Sequence, residues 1–543
     1  MVLALQSAYY CYSLKPILYR RRLRAYQARW CYPDKTLTQL LTKLFYCLVL
    51  TLLAFVAHAG EHFIAADHAL IVYEGRWRST TGGEASAVWA GTNVQLTFDG
   101  TNVTLTLTAG NKSDQFRVVV DQQAQGVVRT KPGTNSYLLA SDLTPGVHHI
   151  KLFKETFYGA EVIFHGFTII DGKALPTRHR YSGRVEFFGD SNMSGASLYS
   201  EKDGGDTGTY FAYPSMVSRM LNAQPSIQAR GGATLGGEGP NTVLSFIFSD
   251  NWFDSDPSYR SGFMPDVVVI NAGANDIYRV EKSGQKAEVK ARFKAVIQAL
   301  RDIHGDMPHI VLFNAYGWDK NEPANYSAEV VDEIGGNLSA CHFPWMWEKW
   351  HGSMVEHAGQ ARVLSRCIAE LNLGINIVNQ ADVFNGFGES GDVANGSFEA
   401  QAAAGFNAFG WRYHDDGVAR IRDPDSAFHG EYYIQLDAGE LVHQGTDATG
   451  DLLPGPTKGT EQFQLELMMR GASNSIALIG ADFEAQPMYN RQHQKLTQFR
   501  VSPEWQKYEV LIEPPAGSWK SFIILKAGRG TIDIDRVRLV PIR

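Results

Sequence analysis

A serine follows directly on a short apolar run at Phe188-Gly189-Asp190-Ser191. The run, Val185 to Phe188, reads as a buried strand, and open α/β sheets bind ligands beyond the carboxyl ends of their strands. Gly189 is small enough for the chain to turn sharply there and expose the hydroxyl. Such a hydroxyl attacks an acyl carbon when a histidine within reach takes its proton. Gly-Asp-Ser alone is a weak signal, because Asp-Ser also caps helices. A second apolar run, Val267 to Ile270, leads into Asn271-Ala272-Gly273-Ala274-Asn275-Asp276. Further on, Glu348-Lys349-Trp350-His351-Gly352-Ser353 is followed by Glu356-His357-Ala358, which opens a helical stretch reaching about Leu371.

These residues need a frame. Between Val185 and Phe343 short apolar runs alternate with helical segments. The runs are Val185–Phe188, Val267–Ile270, Ile310–Phe313 and Leu338–Phe343, and the helical segments are Tyr210–Leu221, Ala287–Ile303 and Ser327–Ile334. This alternation predicts a parallel sheet covered on both faces. Leu338–Phe343 is taken as its last strand, which puts His351 just beyond a strand end. The rival last strand is Ile375–Val378.

Upstream, residues 60–180 have a β texture. Val94–Phe98 and Val103–Leu107 alternate apolar with polar residues, and Asp99-Gly100 between them reads as a hairpin turn. Phe116–Val120 and His148–Phe153 read as further strands of a small antiparallel sandwich. Downstream of a glycine-rich linker between Val383 and Asn395, Gln464–Met468, Ser475–Ile479, Gln506–Ile512 and Ser521–Leu525 predict a second sandwich. The chain of 543 residues thus divides into a lead at 1–59, a β-sandwich at 60–180, an α/β unit at 181–388 and a second β-sandwich at 389–543.

With that context, Gly-x-Asn-Asp after an apolar strand resembles the third block of the SGNH, or GDSL-type, hydrolases. The resemblance implies a three-layer α/β fold with a flavodoxin-like parallel sheet. It implies Ser191 as nucleophile, with its own N–H, a glycine N–H and the Asn275 amide holding the oxyanion. The glycine falls in Ile227-Gln228-Ala229-Arg230-Gly231-Gly232, with Gly232 preferred and Gly231 the near alternative. The family's Asp-x-x-His corresponds to Glu348 and His351, with glutamate where aspartate usually stands. His351 is then the base, Glu348 orients it, and His357 is the fallback base. No cofactor is implied for this chemistry.

A β-sandwich placed ahead of an SGNH unit, with Trp89-Ala90-Gly91-Thr92 in an early strand, resembles carbohydrate esterase family 2. That resemblance covers about residues 64 to 372 and implies deacetylation of a polysaccharide such as xylan or mannan. Trp345, Trp347 and Trp350 crowd the candidate histidine and suit stacking on sugar rings. The last unit opens Val393-Ala394-Asn395-Gly396-Ser397-Phe398-Glu399 and closes Ile532-Asp533-Ile534-Asp535-Arg536-Val537. Both ends resemble galactose-binding-like jelly-roll carbohydrate-binding modules, which implies a structural calcium at Glu399 and Asp535. Trp411, Tyr413, Trp505 and Trp519 are candidates for a sugar platform. Since Ser191, Asn275 and His351 all precede the linker, the last unit is expected to be dispensable for chemistry.

Composition narrows the function classes. The formal net charge is −7, with no basic stripe for nucleic-acid phosphates. The basic stretch Arg20-Arg21-Arg22 precedes the apolar run Leu44 to Ala57 and the site Ala57-His58-Ala59. This pattern reads as an export signal, and the run is shorter than the roughly 20 residues of a spanning helix. A retained anchor is the rival reading. Export implies a secreted, periplasmic or cell-surface protein, with no membrane role beyond the signal. Of five cysteines, only Cys341 and Cys367 follow the lead, and they suit either one disulfide or two buried thiols. The sequence therefore reads as a serine esterase acting on an acetylated polysaccharide or oligosaccharide. Its alternatives are a GDSL-type lipase or esterase for small or lipid esters, and a non-catalytic glycan-binding protein.

Overall fold

The computed structural model describes residues 60–542, apart from 158–160, 199–206, 252, 254, 281–282, 317–322, 345–350, 353, 379–392, 394, 400–407, 409–410, 414–416, 448–456, 486–489 and 494–495. The export-signal reading, most of the linker, Glu348, the tryptophans at 345, 347 and 350 and the side chain of Trp519 fall outside the described residues.

The central unit is a five-stranded parallel sheet. Its strands are β1 (Gly183–Gly189), β2 (Ala223–Ala229), β3 (Val267–Asn271), β4 (His309–Tyr316) and β5 (Leu338–Pro344), in the order β2-β1-β3-β4-β5. The central strands β3 and β4 carry continuous apolar runs because both of their faces are buried. Val185, Phe187, Val267, Val269, Val311 and Phe313 point into one core. Phe188, Val268, Ile270, Ile310 and Leu312 point into the other. The first face is covered by α1 (Tyr213–Leu221) and α6 (Met354–Glu370). The second is covered by α2 (Val243–Ile247), α4 (Gln285–His304) and α5 (Pro323–Ile334). The short α3 (Ala274–Arg279) leaves the end of β3. Ile375 is buried in the first core, but residues 375–378 are not a strand, so among the described residues β5 is the last strand of the sheet.

The first sandwich consists of two six-stranded antiparallel sheets. In one, Asn93–Asp99 pairs with Val147–Lys154; in the other, Asn102–Ala109 pairs with Val162–Ile170 and Gly133–Ala140. Asn93–Asp99 and Asn102–Ala109 therefore lie in different sheets, and the hairpin expected at Asp99-Gly100 is corrected to a crossing between layers. The Gly100 N–H bonds to the Gly146 carbonyl at 3.1 Å instead of closing a two-residue turn.

This sandwich is not merely tethered to the parallel sheet. Trp89 is buried in the second core, edge-on to Phe246 with ring centroids 4.9 Å apart. Arg76 pairs with the buried Glu186 of β1 at 3.2 Å. The C-terminal sandwich has one sheet of six strands and one of five around a separate core. Its ends meet where the Val537 N–H bonds to the Gly396 carbonyl at 2.8 Å. Trp411 is buried in that core, with Nε1 bonded to the Asn395 carbonyl at 3.1 Å, and Tyr413 packs against the same cluster. Neither is part of an exposed platform. Trp505 packs against Tyr433 and Phe428, with the Arg470 guanidinium 4.6 Å from its ring centroid.

Candidate active site

Strand register brings the three sequence blocks to one level. Gly189 at the end of β1 pairs with Ala229 of β2 on one side and Asn271 of β3 on the other. Two residues past each of these stand Ser191, Gly231 and Gly273. This edge lies where the strand order reverses, beside β1 and β3, which is where such sheets hold ligands. Gly189 is required by close approach: a Cβ there would lie 2.7 Å from the Asn271 carbonyl oxygen. Gly273 takes φ 120° as the chain turns from β3 into α3, a conformation that L side chains avoid.

Ser191 is half-buried at the start of a tight turn. Its carbonyl accepts the Ala196 N–H at 2.9 Å and the Ser194 hydroxyl at 3.1 Å. Gly231 lies against it: a Cβ on Gly231 would stand 4.0 Å from the Ser191 Cβ and 3.0 Å from the Phe157 ring of the first sandwich. Gly232, the glycine preferred from sequence, sits one residue on, next to Arg279 and Asn241. The neighbourhood of Ser191 thus belongs to Gly231. Asn275 turns its amide toward the serine's loop, donating to Asp190 Oδ2 at 3.3 Å and to the Ala233 carbonyl at 2.9 Å. Burial pushes the Asp190 carboxyl up to about 7, with the Asp276 charge adding in the same direction.

The supporting residues were not singled out from sequence. Asp276 accepts the Leu235 N–H and pairs with Arg292, each at 2.9 Å, so it ties the second block to α3. Asn271 accepts from Asn192 Nδ2 at 3.2 Å and from the Tyr213 hydroxyl at 3.0 Å. Glu155 of the first sandwich pairs with Arg117 at 2.9 Å and accepts the Tyr210 N–H at 2.8 Å. Its carbonyl accepts the Thr209 hydroxyl, which also reaches the Ser194 carbonyl at 2.8 Å. The first sandwich therefore buttresses the serine's turn. Adjacent Asp-Ser and Asn-Asp pairs hint at polar networks, but their partners are distant in sequence.

The two histidines have different settings. His357 is fully buried on α6, stacked on Tyr213, and its Nδ1 accepts the Tyr213 N–H at 3.1 Å. Burial pushes its imidazole down to about 3, with the charges of His351 and Arg412 adding to the shift. It is held neutral as a structural acceptor. His351 is partly exposed, between β5 and α6. A disulfide joins Cys341 on β5 to Cys367 on α6, with Cα atoms 6.3 Å apart, so it closes the segment that carries His351. The His351 carbonyl accepts Arg412 Nη2 at 3.3 Å, and the same nitrogen donates to Ser197 O at 3.2 Å. Ser191's turn and His351's segment are thus joined through one side chain of the C-terminal sandwich.

The Glu399 carboxylate accepts the N–H groups of Glu431 and Tyr432 at 3.0 and 2.9 Å. Asp535 accepts the N–H groups of His429 and Arg536 at 2.8 and 2.6 Å. Burial pushes Asp535 up to about 7, and the charge of Glu399 contributes. The two acids lie near enough for the Glu399 charge to act on Asp535, and each is already satisfied by main-chain N–H groups. Among the described residues no group of three or more His, Cys, Asp or Glu gathers there or elsewhere to hold a metal.

The fold and this edge define a β-sandwich joined to a GDSL-type hydrolase unit, and comparison with known proteins agrees. Residues 73–177 match the family "Carbohydrate esterase 2 N-terminal", and residues 187–343 match the "GDSL-like Lipase/Acylhydrolase family". The Cellulase/esterase CelE of Acetivibrio thermocellus is 27% identical over 322 residues, covering 55% of this chain and 39% of that protein. The chain thus spans about two fifths of the length of that curated relative. A family two carbohydrate esterase from Clostridium thermocellum, solved in complex with cellohexaose, is 26% identical with a TM-score of 0.51. It covers 56% of this chain and 99% of that one. A family two carbohydrate esterase from Cellvibrio japonicus shares the fold at 17% identity and TM-score 0.51, over 57% of this chain and 98% of that one. Residues 73–343 are homologous to the two-part unit of family 2 carbohydrate esterases.

Proposed function

We propose that this protein is a serine esterase that removes acetyl groups from a carbohydrate. The observation that carries the reading is the register of β1, β2 and β3, which sets Ser191, Gly231 and the Asn275 helix side by side at the sheet edge. Ser191 Oγ attacks the ester carbonyl and His351 takes its proton. The oxyanion is held by the Ser191 and Gly231 N–H groups and by the Asn275 amide, whose 3.3 Å bond to Asp190 is the weaker of its two. Gly232 remains the alternative glycine donor. His351 then protonates the departing sugar hydroxyl, and a water activated by the same imidazole releases acetate. Glu348 orients the imidazole in this scheme, and Trp345, Trp347 and Trp350 stack on the sugar. His357 is unsuited as base, because its Nδ1 and its low basicity are committed to Tyr213 and to burial.

A carbohydrate partner is supported by the relative solved in complex with cellohexaose, and the substrate we propose is an acetylated polysaccharide such as xylan or mannan. Export is supported by the disulfide, which persists in oxidising compartments. We also assign the C-terminal sandwich to glycan binding. A calcium ion between Glu399 and Asp535 would relieve their repulsion, and a chelator should then lower the melting temperature of the full-length protein. Replacement of Ser191 by alanine tests the central claim. Hydrolysis of a small aryl acetate should fall to background in a folded protein, and retention of more than a few per cent would sink the assignment.

A further inference from the structure

We propose that Arg412, supplied by the C-terminal sandwich, is a positioning residue for acyl transfer. It clamps the turn that follows the nucleophile to the segment that carries the base. The proposal rests on the reading of Ser191 and His351 as that pair.

The clamp begins with strand pairing. Arg412–Tyr413 is a short strand paired antiparallel with Leu441–Asp447, so that Arg412 stands opposite His443 and Tyr413 opposite Val442. Tyr413 and Val442 face the sandwich core. Side chains alternate along a strand, so Arg412 and His443 face away from that core. Both are nonetheless buried, at 3% and 7% exposure. Their cover is the α/β unit, since α6 packs against Leu441–Asp447.

At this junction Arg412 Nη2 donates to two main-chain carbonyls, Ser197 O at 3.2 Å and His351 O at 3.3 Å. Ser197 ends the turn that begins at Ser191 and adopts φ 54°, a left-handed conformation uncommon for serine. That conformation needs support from its surroundings. His351 lies three residues ahead of α6. Main-chain carbonyls are held most strongly by a charged donor that is itself excluded from water. One guanidinium nitrogen therefore fixes the spacing of two loops that belong to different strands of the sheet. The reaction needs the imidazole within about 2.6–3.2 Å of the serine hydroxyl. A misplacement of about 1 Å costs on the order of 10²-fold in rate. The last unit is thus part of the active site's support, contrary to the dispensability expected from the order of the motifs.

The experiment uses the full-length protein with Arg412→Met and Arg412→Lys. Methionine keeps the apolar stem and removes the donors; lysine keeps the charge with a shorter reach that spans the two carbonyls poorly. On a small aryl acetate, kcat should fall about 10²-fold in the methionine variant and several-fold in the lysine variant. KM should stay within about twofold, with unchanged circular dichroism. The graded recovery by lysine separates positioning from generic loss of packing. A folded methionine variant with kcat within about twofold of wild type overturns the proposal, as does a raised KM at constant kcat. If the methionine variant does not fold, the lysine variant decides, and a wild-type kcat there overturns the proposal. The Ser191→Ala variant is measured alongside. If it stays active, the reading of the nucleophile has failed, whatever Arg412 does.

Discussion

Replacing both Cys341 and Cys367 by alanine removes a cross-link whose ends are 26 residues apart. Closing a loop of that length in the unfolded chain costs about 3.5 kcal/mol at 25 °C in the chain-entropy treatment. Cys341 is 2% exposed within the core beneath α6, and alanine leaves no buried hydroxyl or thiol unpaired. The main effect is therefore a gain in unfolded-state freedom. For a cooperative unit of roughly 150–250 residues, each kcal/mol shifts the melting temperature by about 2–4 °C. The double variant should accordingly melt about 7–14 °C below wild type. Differential scanning calorimetry, with and without a phosphine reductant, gives the comparison. Reductant should lower wild type to the variant's temperature and leave the variant where it was. Esterase activity lost on heating should track the same transition, because the cross-linked segment carries His351. A drop of less than about 3 °C, or an equal response of both proteins to reductant, would refute the entropic argument.

Alanine at His351 should reduce kcat at least about 10³-fold, whereas His357→Asn, which keeps an acceptor for the Tyr213 N–H, should stay within about tenfold of wild type. The reverse order, read from steady-state kinetics of the two purified variants, would exchange the roles of the histidines. Asn275→Ala should lower kcat by about 10²–10³-fold with little change in KM, since the amide acts on the developing oxyanion. A change confined to KM would remove Asn275 from that role. His357 also makes a pH prediction. Its folded-state value is depressed to about 3, below the usual 6.5, so the unfolded chain binds the proton first on acidification. Its stabilising contribution is complete above pH 6.5 and is lost as pH falls toward 3, by about 3 kcal/mol between pH 6.5 and 4. His149, pushed down to about 4 mainly by burial, acts in the same direction. Asp190 and Asp535, both raised to about 7, oppose it, each gaining stability as pH falls from 7. The test is therefore the difference in unfolding free energy between wild type and His357→Asn across pH 4–7, which should narrow on acidification. A constant difference would refute the assignment.

Sequence pattern revealed the layers of this fold more readily than their joints. Val267–Ile270 and Ile310–Phe313 were legible as strands because burial on both faces leaves runs with no polar interruption, whereas Val185–Phe188 and Leu338–Phe343 were legible although Glu186, Ser339 and His342 interrupt them. The strand Ala223–Ala229 was not, since it is an edge strand with polar residues and Pro225, which only an edge tolerates. Asp99-Gly100 has the composition of a hairpin turn, yet strands adjacent in sequence need not pair, and here they occupy opposite layers. Ser191, Asn275 and the glycine pair Gly231-Gly232, of which Gly232 was preferred, were legible as motifs placed just after apolar runs, while the register that sets these blocks level is a tertiary feature. The choice between Gly231 and Gly232 depended on a one-residue difference in turn geometry that composition does not express. The pairing of Cys341 with Cys367 required knowing that α6 packs on β5. Trp411 shows the ambiguity of aromatics, since a core residue and a sugar platform use the same side chain. Arg412 left no local signal, because both of its acceptors are main-chain carbonyls far away in sequence.

Trp89 has a consequence for how this protein can be cut and recombined. Its indole occupies the core of the neighbouring unit, beside Phe246 and near the buried pair of Arg76 with Glu186. A break near residue 180 would leave a hole in the hydrolase and an exposed tryptophan on the fragment removed. The first sandwich and the parallel sheet therefore travel as one cassette. A chimera that exchanges only the sandwich must carry a matching socket across with it, and a grafted sandwich without that socket should yield insoluble protein.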